Sequence, residues 1–412
     1  MKTILIITDT IDVNDGSGAK ANMAIIENLV VAGFKLHVVH NTIGSCKADG
    51  FSEQKIRIRK WSLLYLLATM MRLLYRYTKY DLQKQIEPLF GFSFEFFSTS
   101  AAYTRTIKSL NKSYDLNITL SKGASFRPHY AMLSCESLHH KWLAYIHDPY
   151  PMHYYPRPYN WVQPGNKQKE HFFALLSQLA KWIAFPSQLL KEWMSSYFPS
   201  MEQKSIIIPH QISAYKPESF DTSTYWNNHD FNILHAGNLM KQRPANGLIE
   251  GFKLFLQQHP QAKQHAKLNL IGSADYHSKA IEQLAREIPQ LRIYLQGLPY
   301  HKAYALQQQA SVNVILESKS EISPFLPGKF PHCIESNKPL LLLAPYYAET
   351  RRLLGEDYPY WCENGDSEKI AACLGKLYVQ WISGETSTLN RPDLLRYMGA
   401  VYLCEIINKL PA

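Results

Sequence analysis

Short apolar runs recur along the chain and alternate with segments of helical spacing, which limits the folds available to it. The first run, Thr3 to Thr8 (TILIIT), precedes a polar loop, a helical segment that ends at Gly33, and a second run, KLHVVH. Apolar, β-branched runs of this length are typical of strands buried in a parallel sheet. A strand, a helix and a second strand in this order predict the opening of a doubly wound α/β domain.

The alternation is interrupted once, and the interruption divides the chain into two halves. Residues Gln211 to Asp230 are polar with little periodicity, and the pattern resumes after them with FNILHAGN. A chain of 412 residues is long for one hydrophobic core and favours two domains of about 200 residues each. We therefore predict an α/β protein of two Rossmann-like domains, residues 1–212 and 213–388, followed by a C-terminal helix within residues 389–412.

The formal net charge of +10 bears on the partners of the chain. Such an excess favours an acidic partner, which is nucleic acid, an anionic membrane surface or a phosphate-bearing substrate. The basic residues are dispersed through both halves, and the chain has no RNA-recognition, KH or zinc pattern. We therefore expect no nucleic-acid partner, and nucleic-acid binding is kept only as an alternative of another class.

The cysteines and the first residues indicate the compartment. No CxxC spacing and no clustering is visible among the six cysteines, Cys46, Cys135, Cys333, Cys362, Cys373 and Cys404. This usage is typical of reduced structural thiols. The opening residues MKTILIITDT lack the features of a signal peptide, and no window approaches 18 uninterrupted apolar residues. We therefore expect a cytoplasmic protein.

A glycine-rich loop precedes the first helix. Gly16, Gly18 and Ala21 fit the G-x-G-x-x-A spacing of dinucleotide-binding folds. The first glycine lies well beyond the end of the strand, however, and the second strand ends in His40 and Asn41 instead of an acid that would bind ribose. The loop offers backbone N–H groups to a phosphate or a sugar, and an ordinary flexible turn is the alternative.

His147 and Asp148 follow directly after a predicted strand, in the segment YIHDPYP. Ligands of open α/β sheets bind beyond the carboxyl ends of the strands, so this position favours chemistry. A histidine with a neighbouring acid can orient a hydroxyl or carry a proton. A turn histidine satisfied by the backbone is the alternative.

Two cations follow strands of the second half. Gly237 and Asn238 lead to Arg243 after one strand, and Gly328 leads to Lys329 after another, near the start of a short helix in GKFPHCIES. Both lie at the same edge of one sheet, and a guanidinium and an ammonium are suited to phosphate. The pair is therefore predicted to converge on one diphosphate without a metal, whereas solvated surface cations are the alternative.

The order and spacing of these segments resemble the GT-B glycosyltransferases over nearly the whole chain, in particular the retaining, nucleotide-sugar-dependent family 4 type. The resemblance rests on the glycine loop and on the segments HDP, FPSQLLKEW, IIIPH, AGNLMKQRP, LQGLPYHKAYALQQQASVNVIL and PGKFPHCIESNKPLLL. It implies two domains that face each other across a cleft and a final helix that crosses back onto the first domain.

The resemblance also implies an activity and the roles of single residues. It implies transfer of a hexose, with retention, from a nucleotide sugar to a hydroxyl of a glycan or lipid-linked acceptor, in bacterial surface polysaccharide or glycoconjugate synthesis, without a metal or other cofactor. Arg243 and Lys329 would hold the donor diphosphate. The segment from Gly297 through Pro299 to Tyr300 would cradle the base, and His147 would lie beside the transferred sugar, near Gly18.

The chain departs from the family pattern at two positions. Where members often carry a Glu-x7-Glu pair, this sequence has Pro324 and His332, and Asn337 replaces a usual glycine. His332 would then meet the ribose or be structural. A catalytically impaired GT-B partner subunit is therefore an alternative to an active enzyme.

Residues Lys55 to Gln85 combine basic side chains with Trp, Tyr and Leu at helical spacing. Such a segment could lie on the anionic inner face of a membrane, as expected for a lipid-linked acceptor. A core helix with a solvated basic face is the alternative.

Overall fold

The structure, a computed structural model, describes residues 2–44, 49–385 and 388–411. Cys46 lies outside the described residues. The chain divides into two compact units. The first consists of Met1–Tyr155, Tyr159–Ala214 and Ala400–Ala412, and the second of Pro156–Pro158 and Tyr215–Gly399.

The first unit is built on a seven-stranded parallel sheet in the order β3-β2-β1-β4-β5-β6-β7. Its strands are β1 (Thr3–Ile7), β2 (Lys35–His40), β3 (Ser52–Lys55), β4 (Leu116–Leu120), β5 (Trp142–Tyr145), β6 (Trp182–Phe185) and β7 (Ser205–Ile207). Its helices are α1 (Ser17–Val31), α2 (Leu63–Thr78), α3 (Gln83–Phe90), α4 (Phe94–Lys108), α5 (Arg127–Met132), α6 (Asn166–Leu179) and α7 (Gln188–Tyr197), with 3₁₀ turns at Glu136–Lys141, Met152–Tyr154 and Pro199–Lys204.

Strand β1 shows why the apolar runs form a sheet that is covered on both faces. Leu5 and Ile7 pack into one buried cluster, whereas Ile4 and Ile6 pack into a second one. Successive side chains of a strand point to opposite faces, so a run without polar interruption needs a layer of helices on each side.

The second unit repeats this plan with a six-stranded parallel sheet in the order β10-β9-β8-β11-β13-β15. Its strands are β8 (Phe231–Ala236), β9 (Ala266–Ile271), β10 (Leu291–Tyr294), β11 (Val312–Leu316), β13 (Leu340–Leu343) and β15 (Trp361–Cys362), beside a small parallel pair, β12 (Ile322–Ser323) and β14 (Tyr347–Ala348). Its helices are α8 (Asn246–Gln258), α9 (Ala262–His265), α10 (Ser278–Glu287), α11 (Tyr300–Gln309), α12 (Phe330–Glu335), α13 (Glu349–Leu354), α14 (Ser367–Ile382) and α15 (Pro392–Tyr397), with a 3₁₀ turn at Thr222–Thr224.

The last helix, α16 (Ala400–Lys409), belongs to the first unit. Leu403, Ile407 and Leu410 are buried in the same cluster as Ile4 and Ile6. The ammonium of Lys2 donates hydrogen bonds to the carbonyl of Ile407 at 2.9 Å and to that of Leu410 at 2.7 Å. The end of the described chain is thereby tied to its beginning.

Both sheets have a point where the strand order reverses. Strand β1 lies between β2 and β4, and β8 lies between β9 and β11. Successive connections leave such a point on opposite faces of the sheet, which opens a crevice beyond the carboxyl ends of the two central strands. The residues after β1 and β4, and after β8 and β11, are therefore placed where a ligand can be bound.

The α/β class and the two parallel sheets are confirmed, and each apolar run interpreted as a strand forms one. Sequence patterns missed β3, β12, β14 and β15, which are two to four residues long. The segment Gln211 to Asp230 contains only the 3₁₀ turn. Across the three described ranges, no helix combines the length and the apolar character needed to cross a bilayer.

Candidate functional site

Gly237 and Lys329 meet at the reversal point of the second sheet. Gly237 follows β8, and a β-carbon built on it would collide with Nζ of Lys329. That ammonium lies 3.5 Å from Nε2 of His235, whose Nδ1 is 3.3 Å from the carbonyl oxygen of Val314. His235 is fully buried, and burial lowers its pKa well below the usual value. The neutral ring therefore donates from Nδ1 and accepts from Lys329 at Nε2.

Arg243 brings a second cation to the same place. It lies in the turn after β8, where its backbone N–H donates to the carbonyl of Met240 at 2.8 Å. Its buried Nε has no hydrogen-bond partner among the described residues. A buried guanidinium N–H without an acceptor is costly, and a phosphate oxygen would satisfy it. Helix α8 begins three residues after Arg243, at Asn246.

A buried carboxylate that sequence reasoning missed completes this charge cluster. Glu317 directly follows β11 and is 2% exposed. Its two carboxylate oxygens accept short hydrogen bonds from the hydroxyls of Ser323 and Thr350. Burial raises the pKa of Glu317, whereas these hydroxyls and the charge of Arg243 lower it. The sequence feature that could have identified Glu317 is its position as the first polar residue after a buried strand.

The pKa of Lys329 reports the balance of these charges. Burial, followed by repulsion from Arg243, lowers it to about 7, and Cys333 and Glu317 oppose the shift. Two cations thus face a single carboxylate in a place that is poorly solvated. Such a cluster has an uncompensated positive charge, and an anion that binds there would stabilise the protonated form of Lys329.

The other residues predicted to bind the donor are arranged around α11 and α12. Pro299 caps the start of α11, and the ring of the next residue, Tyr300, lies 5.4 Å from that of His332. His332 belongs to α12, which begins directly after Lys329. The remaining predicted residues, Asn238, Gly297 and Gly328, are exposed in the loops that precede α8, α11 and α12.

Asn337 explains one departure from the family pattern. It follows α12 with φ of 51°, in the left-handed region that glycine usually occupies. Asparagine is the commonest replacement there because it tolerates this conformation. Its Oδ1 also accepts a hydrogen bond from the backbone N–H of Asn390 at 2.8 Å. The backbone that leads into β13 is therefore formed without glycine.

Gly16 and Gly18 lie between β1 and the first turn of α1, next to the reversal point of the first sheet, whereas His147 and Asp148 follow β5, the strand beside β4. Gly16, with φ of 96°, caps α1. A β-carbon on Gly18 would come within 3.1 Å of Cγ of Lys122, in the loop after β4. This close approach, more than loop flexibility, accounts for glycine at that position.

Both ring nitrogens of His147 are engaged by buried side chains. Nε2 lies 2.6 Å from Oδ1 of Asn22, and Nδ1 lies 3.0 Å from Nε2 of His210. The amide of Asn22 donates to the carbonyl of Ser121 at 3.0 Å, so its Oδ1 is the acceptor and Nε2 of His147 carries the proton. Burial, reinforced by His210 and His129, lowers the pKa of His147 well below its usual value. His147 is therefore a neutral, fixed ring.

Asp148 differs from its neighbour. It is half-buried, and burial raises its pKa to about 6. The pKa of the Tyr155 phenol is raised by burial and, to a smaller extent, by the negative charge of Asp148. Asp148 can therefore exchange a proton near neutral pH, which His147 cannot.

A second cluster in the first unit also escaped sequence reasoning. Asp9 follows β1, and its carboxylate accepts a short hydrogen bond from the hydroxyl of Ser125 and lies 3.9 Å from Nη1 of Arg127. Burial raises the pKa of Asp9, and the charge of Arg127 opposes the shift. Lys122 reaches Asp15 at 2.5 Å in the same loop region. Among the described residues, no group of three His, Cys, Asp or Glu side chains is arranged to hold a metal ion.

Comparison with known proteins identifies the fold. No family model and no curated protein matches the chain. Sucrose-phosphate synthase from Thermosynechococcus elongatus matches with a TM-score of 0.65 and 12% identity over 99% of this chain and 98% of that one. A trehalose-6-phosphate protein of E. coli, bound with UDP-2-fluoro glucose, matches with a TM-score of 0.60 and 11% identity over 100% of both chains. A glycosyltransferase from Rickettsia africae matches with a TM-score of 0.62 and 11% identity over 99% and 96%. Identities this low show the fold alone, and that fold is GT-B.

Proposed function

We propose that the protein is a glycosyltransferase that moves a sugar from a nucleotide-diphosphate donor to a hydroxyl group. The observation that carries the proposal is the paired cations Arg243 and Lys329 at the reversal point of the second sheet, with the backbone of Gly237 directly beneath the ammonium. An anion bound there would gain two charged donors at once. A glycine at this position lets a diphosphate approach the backbone closely.

The same charges suit departure of the nucleoside diphosphate. Negative charge grows on the leaving phosphate as the bond to the sugar breaks, and fixed cations in a poorly solvated site stabilise that charge more than water does. Arg243 offers its unpartnered Nε, and Lys329 becomes fully protonated as the anion binds. No metal is required for this step, because the two side chains supply the positive charge.

Transfer with retention requires little base strength from the protein. In the same-face mechanism that we propose, the acceptor hydroxyl attacks the anomeric carbon and the leaving phosphate oxygen takes its proton. His147 is neutral and held by Asn22 and His210, so it is suited to position the sugar and unsuited to act as a strong base. Asp148, with its pKa raised to about 6, is the better proton acceptor of the two.

The solved structures support the proposal by analogy. Their names describe sucrose-phosphate and trehalose-phosphate synthases, and one of them is bound with UDP-2-fluoro glucose. For this chain we propose a family 4-like, retaining enzyme whose acceptor is a glycan or a lipid-linked sugar in bacterial surface polysaccharide synthesis. Peripheral association with the inner face of the membrane belongs to the same proposal. Asn337, which keeps the left-handed backbone, favours an active enzyme over an impaired partner subunit.

The proposal is tested by thermal-shift measurements with UDP, GDP, ADP, CMP and their sugars. We expect one nucleotide to raise the melting temperature of the wild type and to have no effect on Arg243→Ala or Lys329→Ala. Arg286→Ala, an exposed cation of the same unit, is the matched control and should keep the response. A sugar nucleotide that stabilises the wild type should also be consumed, by hydrolysis or transfer, in the wild type alone.

Three results would contradict the proposal of an active glycosyltransferase. Absence of a response to every nucleotide would exclude the donor site. A response that survives in both Arg243→Ala and Lys329→Ala would place the nucleotide elsewhere. Binding without hydrolysis or transfer would favour the impaired partner subunit.

A further inference from the structure

Helix α2 exposes a continuous apolar stripe along its length. Six large apolar side chains of this helix are between 46% and 79% exposed; Tyr75 lies apart from the other five, which are Leu63, Leu66, Met70, Leu73 and Tyr77. These five recur at intervals of three and four residues, which places them on one face of a helix. By the usual rotation of 100° per residue, the stripe covers an arc of ~80°.

The helix is only weakly buried elsewhere. Ala68 and Met71 are its only buried residues, and it packs on α4. The apolar stripe lies beside this packed face and is distinct from it. The interpretation of this segment as a core helix with a solvated basic face describes only part of it, because Arg72 and Arg76 are exposed but so is the apolar stripe. One stripe of the solvent-exposed side is apolar. Exposed apolar surfaces of this kind usually mark a site that binds another protein or a membrane.

The charge around the stripe is predominantly positive. Residues 54–80 contain seven basic residues and no acidic one, the basic residues being Lys55, Arg57, Arg59, Lys60, Arg72, Arg76 and Lys79. The acidic groups nearby are few. Arg72 lies 3.9 Å from Glu95 of α4, and Asp81 lies 3.9 Å from Lys84. The carboxylates of Glu53 and Glu87 flank the segment in sequence, and Glu87 is occupied by Lys169 at 3.6 Å.

This charge decides between the two plausible occupants. A second copy of the chain would bring an equal set of cations against the first, and like charges across an interface disfavour association. An anionic bilayer surface offers the opposite charge together with an apolar layer. Trp61, which is 91% exposed immediately before the helix, and Tyr77 near its end are residues that favour the interface between headgroups and acyl chains.

We propose that α2 lies flat on an anionic lipid surface, with the stripe from Leu63 to Tyr77 inserted among the acyl chains and the flanking cations at the phosphate level. A helix of 16 residues is ~24 Å long. It is apolar on one face only, so it is suited to lie in the interface and not to span it. The inference deepens the membrane association proposed above by identifying the residues that would carry it, and its test needs no measurement of transferase activity.

The test is flotation of the full-length protein with vesicles. The wild type is expected to float with vesicles of phosphatidylcholine and phosphatidylglycerol, and not with phosphatidylcholine alone. Leu66→Gln/Met70→Gln/Leu73→Gln should abolish flotation, whereas Val379→Gln/Ile382→Gln, which removes exposed apolar residues from α14, should not. Glutamine keeps helix propensity, and a melting temperature equal to that of the wild type verifies folding.

A second pair of variants tests the charge. Each Lys or Arg near an anionic surface contributes roughly a five-fold gain in partitioning. Arg59→Gln/Lys60→Gln/Arg76→Gln should therefore weaken partitioning by about 100-fold. Its matched control, Lys263→Gln/Lys279→Gln/Arg286→Gln, removes the same net charge from exposed positions of the second unit. This control should partition like the wild type.

Three outcomes would overturn the proposal. One is a wild type that does not float with anionic vesicles. Another is flotation that is equal in the stripe variant or is lost equally in both charge variants. The third is a wild type that sediments as a dimer without vesicles and becomes a monomer in the stripe variant, which would identify a second copy of the chain as the occupant.

Discussion

The pKa of Lys329 predicts how nucleotide binding depends on pH. With a pKa of about 7 in the free protein, half of the Lys329 side chains are protonated at pH 7 and about 3% at pH 8.5. A bound diphosphate favours the protonated form and raises the pKa. Affinity should therefore approach its maximum near pH 6 and should fall as the pH rises through 7, and binding at pH 7 should take up about half a proton.

The magnitude follows from the fraction that is protonated. If only the protonated form binds, the dissociation constant rises about 16-fold between pH 7 and pH 8.5, which is about 1.6 kcal/mol. The terminal phosphate of the nucleotide is almost fully ionised over this interval, because its pKa is about 6. The change in affinity should therefore come from Lys329.

The assay is isothermal titration calorimetry with the nucleotide that the thermal-shift screen identifies. Titrations at pH 7.0, 7.5, 8.0 and 8.5 give the affinity, and two buffers of different ionisation enthalpy give the proton uptake at pH 7. Lys329→Arg is the control, since a guanidinium stays charged throughout and should bind with equal affinity at every pH. An affinity of the wild type that is constant across the series, without proton uptake, would refute the depressed pKa.

Three further predictions concern single residues. Glu317→Gln removes the carboxylate that opposes the low pKa of Lys329, so the fall in affinity should begin at a lower pH in the same titrations; an unchanged midpoint would contradict the argument. Burial lowers the pKa of His129 to about 3, so the unfolded state takes up a proton below pH 6.5 that the folded state refuses. Urea denaturation should therefore show about 2 kcal/mol less stability at pH 5 than at pH 7 from this residue, and His129→Gln should reduce the difference. Asn337→Val should cost about 1–3 kcal/mol more than Asn337→Gly, because both variants lose the hydrogen bond to Asn390 but only the β-branched residue is strained at positive φ; equal effects would exclude this explanation.

Much of the fold could be predicted because the information is local. Each buried parallel strand is an apolar run, and runs such as those of β1 and β8 are bounded by polar loops. Strand β3, by contrast, has the sequence Ser-Glu-Gln-Lys and lies at an edge of the sheet. It is a strand because β2 offers it a hydrogen-bonding partner, and no property of the four residues indicates this.

The site could be predicted in part for the same reason. Gly237, Arg243 and Lys329 follow strands, and the topology of a parallel sheet brings strand ends together. Glu317 follows a strand as well, but its carboxylate is held by hydroxyls from β12 and α13, which sequence patterns do not connect. The contact of His147 with His210 joins residues 63 positions apart, and it depends on packing.

Helix α2 shows a different limit of prediction from sequence, which concerns the face of a helix that becomes buried. Its leucines and methionines have the spacing of a buried helix, and an apolar pattern alone does not state which of two adjacent faces will be covered. Only the position of α4 decides that Ala68 and Met71 are inside and that Leu66 and Met70 are outside.

The packing of α16 has a consequence for biosynthesis. Leu403, Ile407 and Leu410 fill the same core as Ile4 and Ile6, although the whole second unit is translated between them. Domains generally fold in the order of their synthesis. Here the ribosome delivers every strand of the second unit before it delivers the helix that closes the first core. A nascent chain therefore cannot complete its first unit before the second unit has been synthesised, and a fragment that stops at Ala214 should expose the apolar surface that Leu403, Ile407 and Leu410 cover.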